Sequence, residues 1–305
     1  MGQLIFETAL NGLQFGVFLF LIAAGLTLVF GIMNMVNLAH GSMFMMGAYV
    51  GAYVFRQTDS FALAIALAIP FSLVLGIALE YLALRTLYAR DHLDQMLSTF
   101  GFILFFNQLV LRVFGTTSQE FSLPKSINFP LPLFGFSYPS YRLIVIVAGL
   151  LVALGLYFVI AKTRVGMLIR AGASNRPLVG ALGVNIRMLF TVIFGIGAAL
   201  AGLAGVMIGP IESIESGMGE SKLILAFVVI VIGGVGSIRG AFIASIIVGL
   251  VEVIGRVFMT DMLRTFLSEE FAQTAGPALA SMSIYILMAA VLYFRPQGIF
   301  PARSG

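Results

Sequence analysis

The chain contains no cysteine, and only 10% of its 305 residues are charged. The absence of cysteine excludes disulfides, a thiolate nucleophile and cysteine-ligated metals. Soluble proteins carry roughly a quarter charged residues. A charged fraction this small, with 60% hydrophobic residues and a mean hydropathy of +1.07, excludes an ordinary soluble domain. The composition predicts a polytopic membrane protein of about eight to nine spans, since each helical span needs about 20 apolar residues.

The sequence also lacks patterns that indicate catalysis. No predicted span carries an acid pair, a nucleophile with its base, or histidine and carboxylates at metal-ligand spacing. The GxxxxGK[ST] pattern of a phosphate-binding loop is missing as well. We therefore expect a non-catalytic membrane subunit with no metal and no cofactor. The net charge of +4 lies mainly in loops at span ends, as membrane orientation requires, so no nucleic-acid partner is expected.

Long uncharged stretches predict an all-α bundle that forms one transmembrane domain over residues 1–305. Residues 8–55 contain no charged side chain, yet as one helix they would be roughly 70 Å long against a bilayer core of about 30 Å. The run must break, and Gly31 to Gly41 is the obvious place. The stretch 223–258 is expected to fold back around Gly233 to Gly240, giving broken or re-entrant helices. Further spans are predicted at 61–84, 95–113, 141–161, 188–211 and 271–294.

The break after Gly31 gathers polar side chains, namely Asn34, Asn37, His40 and Ser42. Irregular backbone within a membrane must be buried in protein or face water. These residues are therefore candidates for the lining of a solute pathway. Capping of a broken helix by the asparagines and an internal hydrogen bond of His40 are the alternatives.

The most polar segment is the basic loop 162–187, which holds Lys162, Arg164, Arg170, Arg176 and Arg187 without any acidic residue. Basic loops next to spans lie on the cytoplasmic side. This orientation puts the N-terminus outside and the C-terminus in the cytoplasm. It also puts the proline-rich loop 114–140 outside, as an extended cover or a docking surface. We expect a short helix between Ala171 and Leu182 along the membrane plane, ended by Gly183 in a positive-φ conformation.

The loop sequence GMLIRAGASNRPLVGALGVNIRMLF (166–190) resembles the cytoplasmic coupling loop of permeases of the branched-chain amino acid type of ABC importer. The stretches NLAHGSMFMMGAYVGAYV (37–54) and GGVGSIRGAFIASIIVG (233–249) resemble the same family. The resemblance implies that the loop contacts an ATPase. The residues on the pattern are Arg170, Ala171, Ala173, Asn175, Ala181, Gly183 and Asn185, whereas Ser174 stands where an acidic or amide residue is common.

The family resemblance implies a permease subunit in a bacterial inner membrane, surrounded by lipid. It would pair with a second, identical or homologous permease, dock two ATP-binding subunits and receive solute from an extracytoplasmic binding protein. Hydrophobic, branched-chain amino acids are the first expectation for the solute, with urea, short amides or another amino acid as alternatives. Two other classes stay open, an ion-coupled secondary transporter and a non-transporting membrane scaffold. The lack of mid-span charges argues against the secondary transporter.

Overall fold

The computed structural model describes residues 2–124, 127–133 and 135–301. Within these ranges the chain is a bundle of α-helices with one short 3-10 helix (Leu84–Leu87) and one β-hairpin, which confirms the predicted all-α membrane fold. In chain order the α-helices are α1 (Gly2–Met33), α2 (His40–Thr58), α3 (Phe61–Leu82), α4 (His92–Phe114), α5 (Ser140–Lys162), α6 (Arg164–Ser174), α7 (Arg176–Ala181), α8 (Ile186–Ile208), α9 (Met218–Gly233), α10 (Ile238–Arg264) and α11 (Glu269–Phe294).

Seven of the described helices are long and apolar enough to cross a membrane, judged by length and composition, and they are α1, α3, α4, α5, α8, α10 and α11. Helix α2 has 19 residues and α9 has 16. At about 1.5 Å per residue, α9 is only about 24 Å long, which is shorter than a typical hydrocarbon core of about 30 Å. A count of nine crossings requires these two shorter helices in addition to the seven.

Helix α1 lies at the centre of the bundle, where it packs against α5, α8, α9 and α10. Its residues Val17 to Ala24 are completely buried. A helix that is apolar on all sides must be surrounded by protein or lipid. Helix α1 is surrounded by protein. Helices α4, α5 and α11 instead expose most of their apolar side chains, as expected for a surface that faces lipid.

Glycines let the central helices approach closely. Gly47 of α2 faces Gly202 of α8 backbone to backbone, and a Cβ built on Gly25 of α1 would lie 2.6 Å from the carbonyl oxygen of Gly197. Small residues at such contacts are the usual means of packing helices in a membrane, where the hydrophobic effect does not drive helices together. The spacing of Gly197, Ala201 and Gly205 in the sequence therefore reflects packing, since all three are buried.

The predicted break after Gly31 is present. Helix α1 ends at Met33, Asn34 adopts a left-handed conformation with φ of 48°, and α2 begins at His40. The His40 Nε2 atom lies 3.3 Å from the carbonyl oxygen of Ile22. Because Ile22 stands eleven residues before Met33, the connecting segment returns about 16 Å into the bundle before α2 starts.

The second predicted break is also present, because α9 ends at Gly233 and α10 starts at Ile238. This glycine turn meets the end of α1, where a Cβ on Gly31 would lie 2.6 Å from the Cα of Gly236. The start of α2 is elsewhere, with Gly41 packed against Gly219 at the opposite end of α9. The glycine turn therefore meets the end of α1, whereas the start of α2 packs against the opposite end of α9.

The proline-rich loop forms an antiparallel hairpin of β1 (Pro130–Leu133) and β2 (Phe136–Pro139). The Ser140 hydroxyl closes its base by accepting a hydrogen bond from the Phe129 backbone N–H at 2.8 Å. The Tyr138 hydroxyl donates to Asn11 of α1 at 3.1 Å. The hairpin thus covers the N-terminal part of α1, at the end of the bundle opposite the basic loop.

Candidate functional site

The basic loop 162–187 consists of two short helices, α6 and α7, between the long helices α5 and α8. The expected short helix between Ala171 and Leu182 is present as α7, but it covers only Arg176–Ala181, and the preceding helix α6 was not expected. Helix α6 already begins at Arg164, and the chain leaves the helical conformation at Asn175, whose φ is −151°. Pro177 stands in the first turn of α7, where its missing N–H removes no helical hydrogen bond.

Three polar side chains cap the helices of the loop. Thr163 accepts a hydrogen bond from the Gly166 N–H at 3.2 Å, Asn175 from the Leu178 N–H at 3.0 Å, and Asn185 from the Met188 N–H at 3.0 Å. Such caps satisfy backbone donors that a helix start leaves free, and each contributes about 1 kcal/mol. Asn175 and Asn185, both expected to contact an ATPase, thus shape the loop that would make this contact.

Gly183 ends the second short helix. Its φ is +85°, as expected from the sequence, and a Cβ at this position would have nothing within 4 Å. The Gly183 and Val184 N–H groups donate to the carbonyls of Gly180 and Val179, a pattern that satisfies the open end of a helix. Only the backbone conformation, and no neighbouring atom, therefore requires glycine here.

Apolar contacts fix the loop to the bundle. Ile169 and Val179 are buried, and a Cβ on Gly172 would lie 3.2 Å from Leu189 of α8 and 4.0 Å from Ile32 of α1. The Arg176 guanidinium lies 5.4 Å from the centre of the Phe190 ring, and partial burial lowers its pKa from the usual value. The loop therefore rests on the ends of α1 and α8.

The opposite face of the loop is open. The predicted contact residues Arg170, Ala173, Ser174, Asn175, Gly183 and Asn185 are all exposed, and Ala171 is half-buried. Leu178 and Leu182 are 57% and 76% exposed. They stand four residues apart and so project from the same side of the chain around α7. The outer face of the loop combines basic charge with two apolar side chains, a composition suited to protein contact.

A buried carboxylate lies beside the loop. Glu80 of α3 is completely buried and accepts hydrogen bonds from the Arg85 guanidinium at 3.4 Å, the Tyr88 hydroxyl and the Thr191 hydroxyl at 2.6 Å. The Thr191 residue belongs to α8, so the cluster ties α3 to the helix that follows the loop. In the sequence, Glu80 lies near the end of the predicted span 61–84, and nothing local indicates this cluster, because Thr191 of α8 is 111 positions away.

A pocket of about 470 Å³ opens next to this cluster, lined by Arg85, Asn185, Arg187, Met188, Thr191 and Val192. Two of these residues are arginines, and Asn185 belongs to the predicted contact surface. The pocket therefore joins the Glu80 cluster to the basic loop, and it lies where an approaching partner would reach both.

The candidate pathway residues after α1 divide into two groups. Asn37, His40 and Ser42 are buried, whereas Asn34 is exposed. Asn37 accepts a hydrogen bond from the Ala39 N–H at 3.0 Å and so orders the segment that enters α2. Its Nδ2 atom and the Nδ1 atom of His40 are buried without a hydrogen-bond partner, which leaves polar groups available inside the bundle.

Charged side chains also cluster at the end of α9 opposite the basic loop, at a place that no sequence pattern indicated as a site. Lys222 forms an ion pair with Glu212 at 2.7 Å and lies 5.6 Å from the centre of the Phe15 ring. Asn107 of α4 donates to Glu220. In the sequence, only the concentration of glutamates between α8 and α9 pointed to this cluster. The contact with α4 could not be read from the sequence, because Asn107 and Glu220 are 113 positions apart.

Comparison with known proteins relates this architecture to a transport family. Residues 8–292 match the family described as the branched-chain amino acid transport system permease component. The chain belongs to this family. It is 30% identical to the high-affinity branched-chain amino acid transport system permease protein BraD of Pseudomonas aeruginosa, over 96% of this chain and 94% of that protein.

Two further relatives are also branched-chain amino acid transport permeases. The permease protein LivH of Escherichia coli is 29% identical over 85% of this chain and 88% of its own length. The probable branched-chain amino acid transport permease protein LivH of Methanocaldococcus jannaschii is 27% identical over 92% of this chain and 88% of its own length. No solved structure matches the chain significantly. The protein is therefore a multi-pass membrane permease of this family.

Proposed function

We propose that the chain is a permease subunit of an ATP-driven importer and forms part of the path by which branched-chain amino acids cross the membrane. The observation that carries this proposal is the family match over residues 8–292. The relatives named above are branched-chain amino acid permeases that align along most of their length, which supports the same class of solute.

The loop 162–187 supplies the surface on which an ATPase would act. The chain has no phosphate-binding loop, so a separate chain must hydrolyse ATP. The loop is anchored to α1 and α8 on one side, and on the other it exposes Leu178, Leu182 and basic side chains. Contact residues on this open face are Arg170, Ala171, Ala173 and Ser174, with Asn175, Gly183 and Asn185 maintaining its shape.

The re-entrant start of α2 is proposed to adjoin the solute path. Buried polar atoms without partners cost free energy unless water or another polar group reaches them. The free Asn37 and His40 atoms are therefore best explained by water or solute that enters during transport. Ser42 lies in the first turn of the same helix, and Asn34 lies at its exposed entrance.

The whole chain 1–305 is proposed to act as one permease domain. The basic loop and the C-terminus would face the cytoplasm, and the hairpin β1–β2 would face the outside of a bacterial inner membrane. Two ATP-binding subunits, a second permease and an extracytoplasmic solute-binding protein complete the proposed assembly.

The test is to isolate the chain from native membranes with the subunits that remain attached, and to reconstitute the complex in proteoliposomes. Radiolabelled leucine should enter only when ATP and the solute-binding protein are present, and unlabelled valine or isoleucine should compete while urea and acetamide should not. Uptake should persist when ionophores remove ion gradients. Uptake that needs an ion gradient and not ATP would favour a secondary transporter. Absence of any flux with all partners present would favour a scaffold.

A further inference from the structure

A groove lies between the long apolar helices α5 and α10. Both helices pack against α1, and between them lies a cavity of about 380 Å³. Its walls are Leu150, Ala153, Leu154 and Tyr157 of α5 and Ile238, Arg239, Phe242 and Ile243 of α10, with Phe20 of α1 as the floor. The volume lies within the range of roughly 300–1,000 Å³ that is common for small-molecule sites. We call it the α5–α10 groove.

The groove is apolar along its length and basic at one end. The Arg239 guanidinium lies 5.2 Å from the centre of the Tyr157 ring and donates to its hydroxyl at 3.4 Å. Throughout the described ranges, no carboxylate lies within ion-pair distance of Arg239. Arg239 also stands in the first turn of α10, where the helix dipole adds to the positive potential. This end of the groove is therefore an uncompensated cationic site.

The cationic end of the groove lies towards one face of the membrane. Tyr157 lies five residues before the end of α5 at Lys162, so the cationic end is on the same side of the bundle as the basic loop. From there the groove runs towards Leu150, about 10 Å further along the helix. Leu154 is 64% exposed, so the groove is open to the lipid-facing side. An aromatic hydroxyl and an arginine at the polar end of an apolar channel match the chemistry of a phospholipid.

We propose that the α5–α10 groove binds one anionic phospholipid of the leaflet on the side of the basic loop. The phosphate accepts hydrogen bonds from Arg239 and Tyr157, and an acyl chain lies against Phe20, Ala153 and Phe242. A soluble, polar ligand does not suit this site. Beyond Tyr157 and Arg239, the described residues that line the groove carry no polar side chain.

The test uses the full chain in detergent and native mass spectrometry with two lipids of equal acyl chains, phosphatidylglycerol and phosphatidylcholine. The wild type should retain one phosphatidylglycerol with about tenfold higher affinity than phosphatidylcholine, as expected for one desolvated charge contact. Arg239→Gln should remove this preference. Arg112→Gln is the matched control, because Arg112 is an exposed arginine in the last turn of α4 and lies outside the groove. It should keep the preference unchanged.

Two further measurements distinguish a bound lipid from other occupants of the groove. Ala153→Phe fills the groove and should lower retention of both lipids at least fivefold. Glycerol phosphate, which offers the charged group without acyl chains, should not displace the bound lipid. The proposal is overturned if Arg239→Gln keeps the lipid preference, or if glycerol phosphate displaces the lipid. It is equally overturned if Ala153→Phe separates paired permease chains while lipid stays bound, because the groove would then be a subunit interface.

Discussion

Substitution of Gly183 tests whether the shape of the basic loop controls transport. The φ of +85° at this position is costly for residues with a side chain, whereas the open space around it excludes a steric clash. Alanine should cost about 1–2 kcal/mol, which lowers the ratio of correctly to incorrectly folded loop about 5- to 30-fold. Asparagine tolerates this conformation better than alanine, and a β-branched valine tolerates it least.

We therefore expect uptake per ATP hydrolysed to decrease in the order glycine, asparagine, alanine, valine in reconstituted proteoliposomes. Trypsin cleavage of the bond between Arg187 and Met188 should accelerate in the same order, because Arg187 is exposed and a distorted loop is more accessible to the protease. All variants should still reach the membrane, since no contact with the bundle is lost.

Gly180→Ala provides the matched control. Gly180 lies within α7, and its added Cβ would meet only Ile186 at 3.8 Å, an ordinary contact. The same chemical change should here stabilise the helix by about 0.5–1 kcal/mol and leave coupling intact. If Gly183→Ala and Gly180→Ala give the same ratio of uptake to hydrolysis, the argument from backbone conformation is refuted.

Three further changes test other parts of the molecule. Glu80→Ala removes the acceptor shared by a guanidinium and two hydroxyls. The melting temperature in detergent should therefore fall by an amount equivalent to about 3 kcal/mol. Glu269→Ala, at an exposed site, should leave the melting temperature unchanged. Gly47→Leu should abolish a monodisperse size-exclusion profile, whereas Gly101→Leu, with nothing near its Cβ, should preserve it; equal profiles would contradict the packing. Ser174→Cys, in a chain without cysteine, should react with an impermeant maleimide only in inside-out vesicles, and labelling of intact cells would contradict the orientation.

The sequence predicted the features that depend on local chemistry. Polar residues between glycines located the break before His40, and the glycine turn at 233–240 located the second one. The need for glycine at position 183 followed from its place after a short helix. The division of the loop at Asn175 was also present in the sequence, because asparagine followed closely by Pro177 is typical of a helix start, but the expectation of a short helix rested on the basic charge and small residues of the loop and not on this signal.

The remaining features depend on tertiary packing. Nothing local to His40 indicates that it lies beside Ile22, since the depth at which α2 begins is set by the helices around it. Likewise, Glu80 looked like a carboxylate near the end of a span, and only the fold brings Thr191 to it. Hydrogen bonds between residues more than a hundred positions apart cannot be inferred from one sequence, because many other pairs satisfy the same chemical needs.

The three caps of the basic loop have a mechanical consequence. Thr163, Asn175 and Asn185 each start a new helix, so the loop is a chain of short rigid rods with joints between them. A force on α7 would turn this short helix without bending α5, and α6, whose Gly172 lies close to Leu189 and Ile32, would pass the displacement to α8 and α1. If an ATPase acts on this loop as proposed, the loop would pass its displacement to α8 and to α1, the central helix of the bundle.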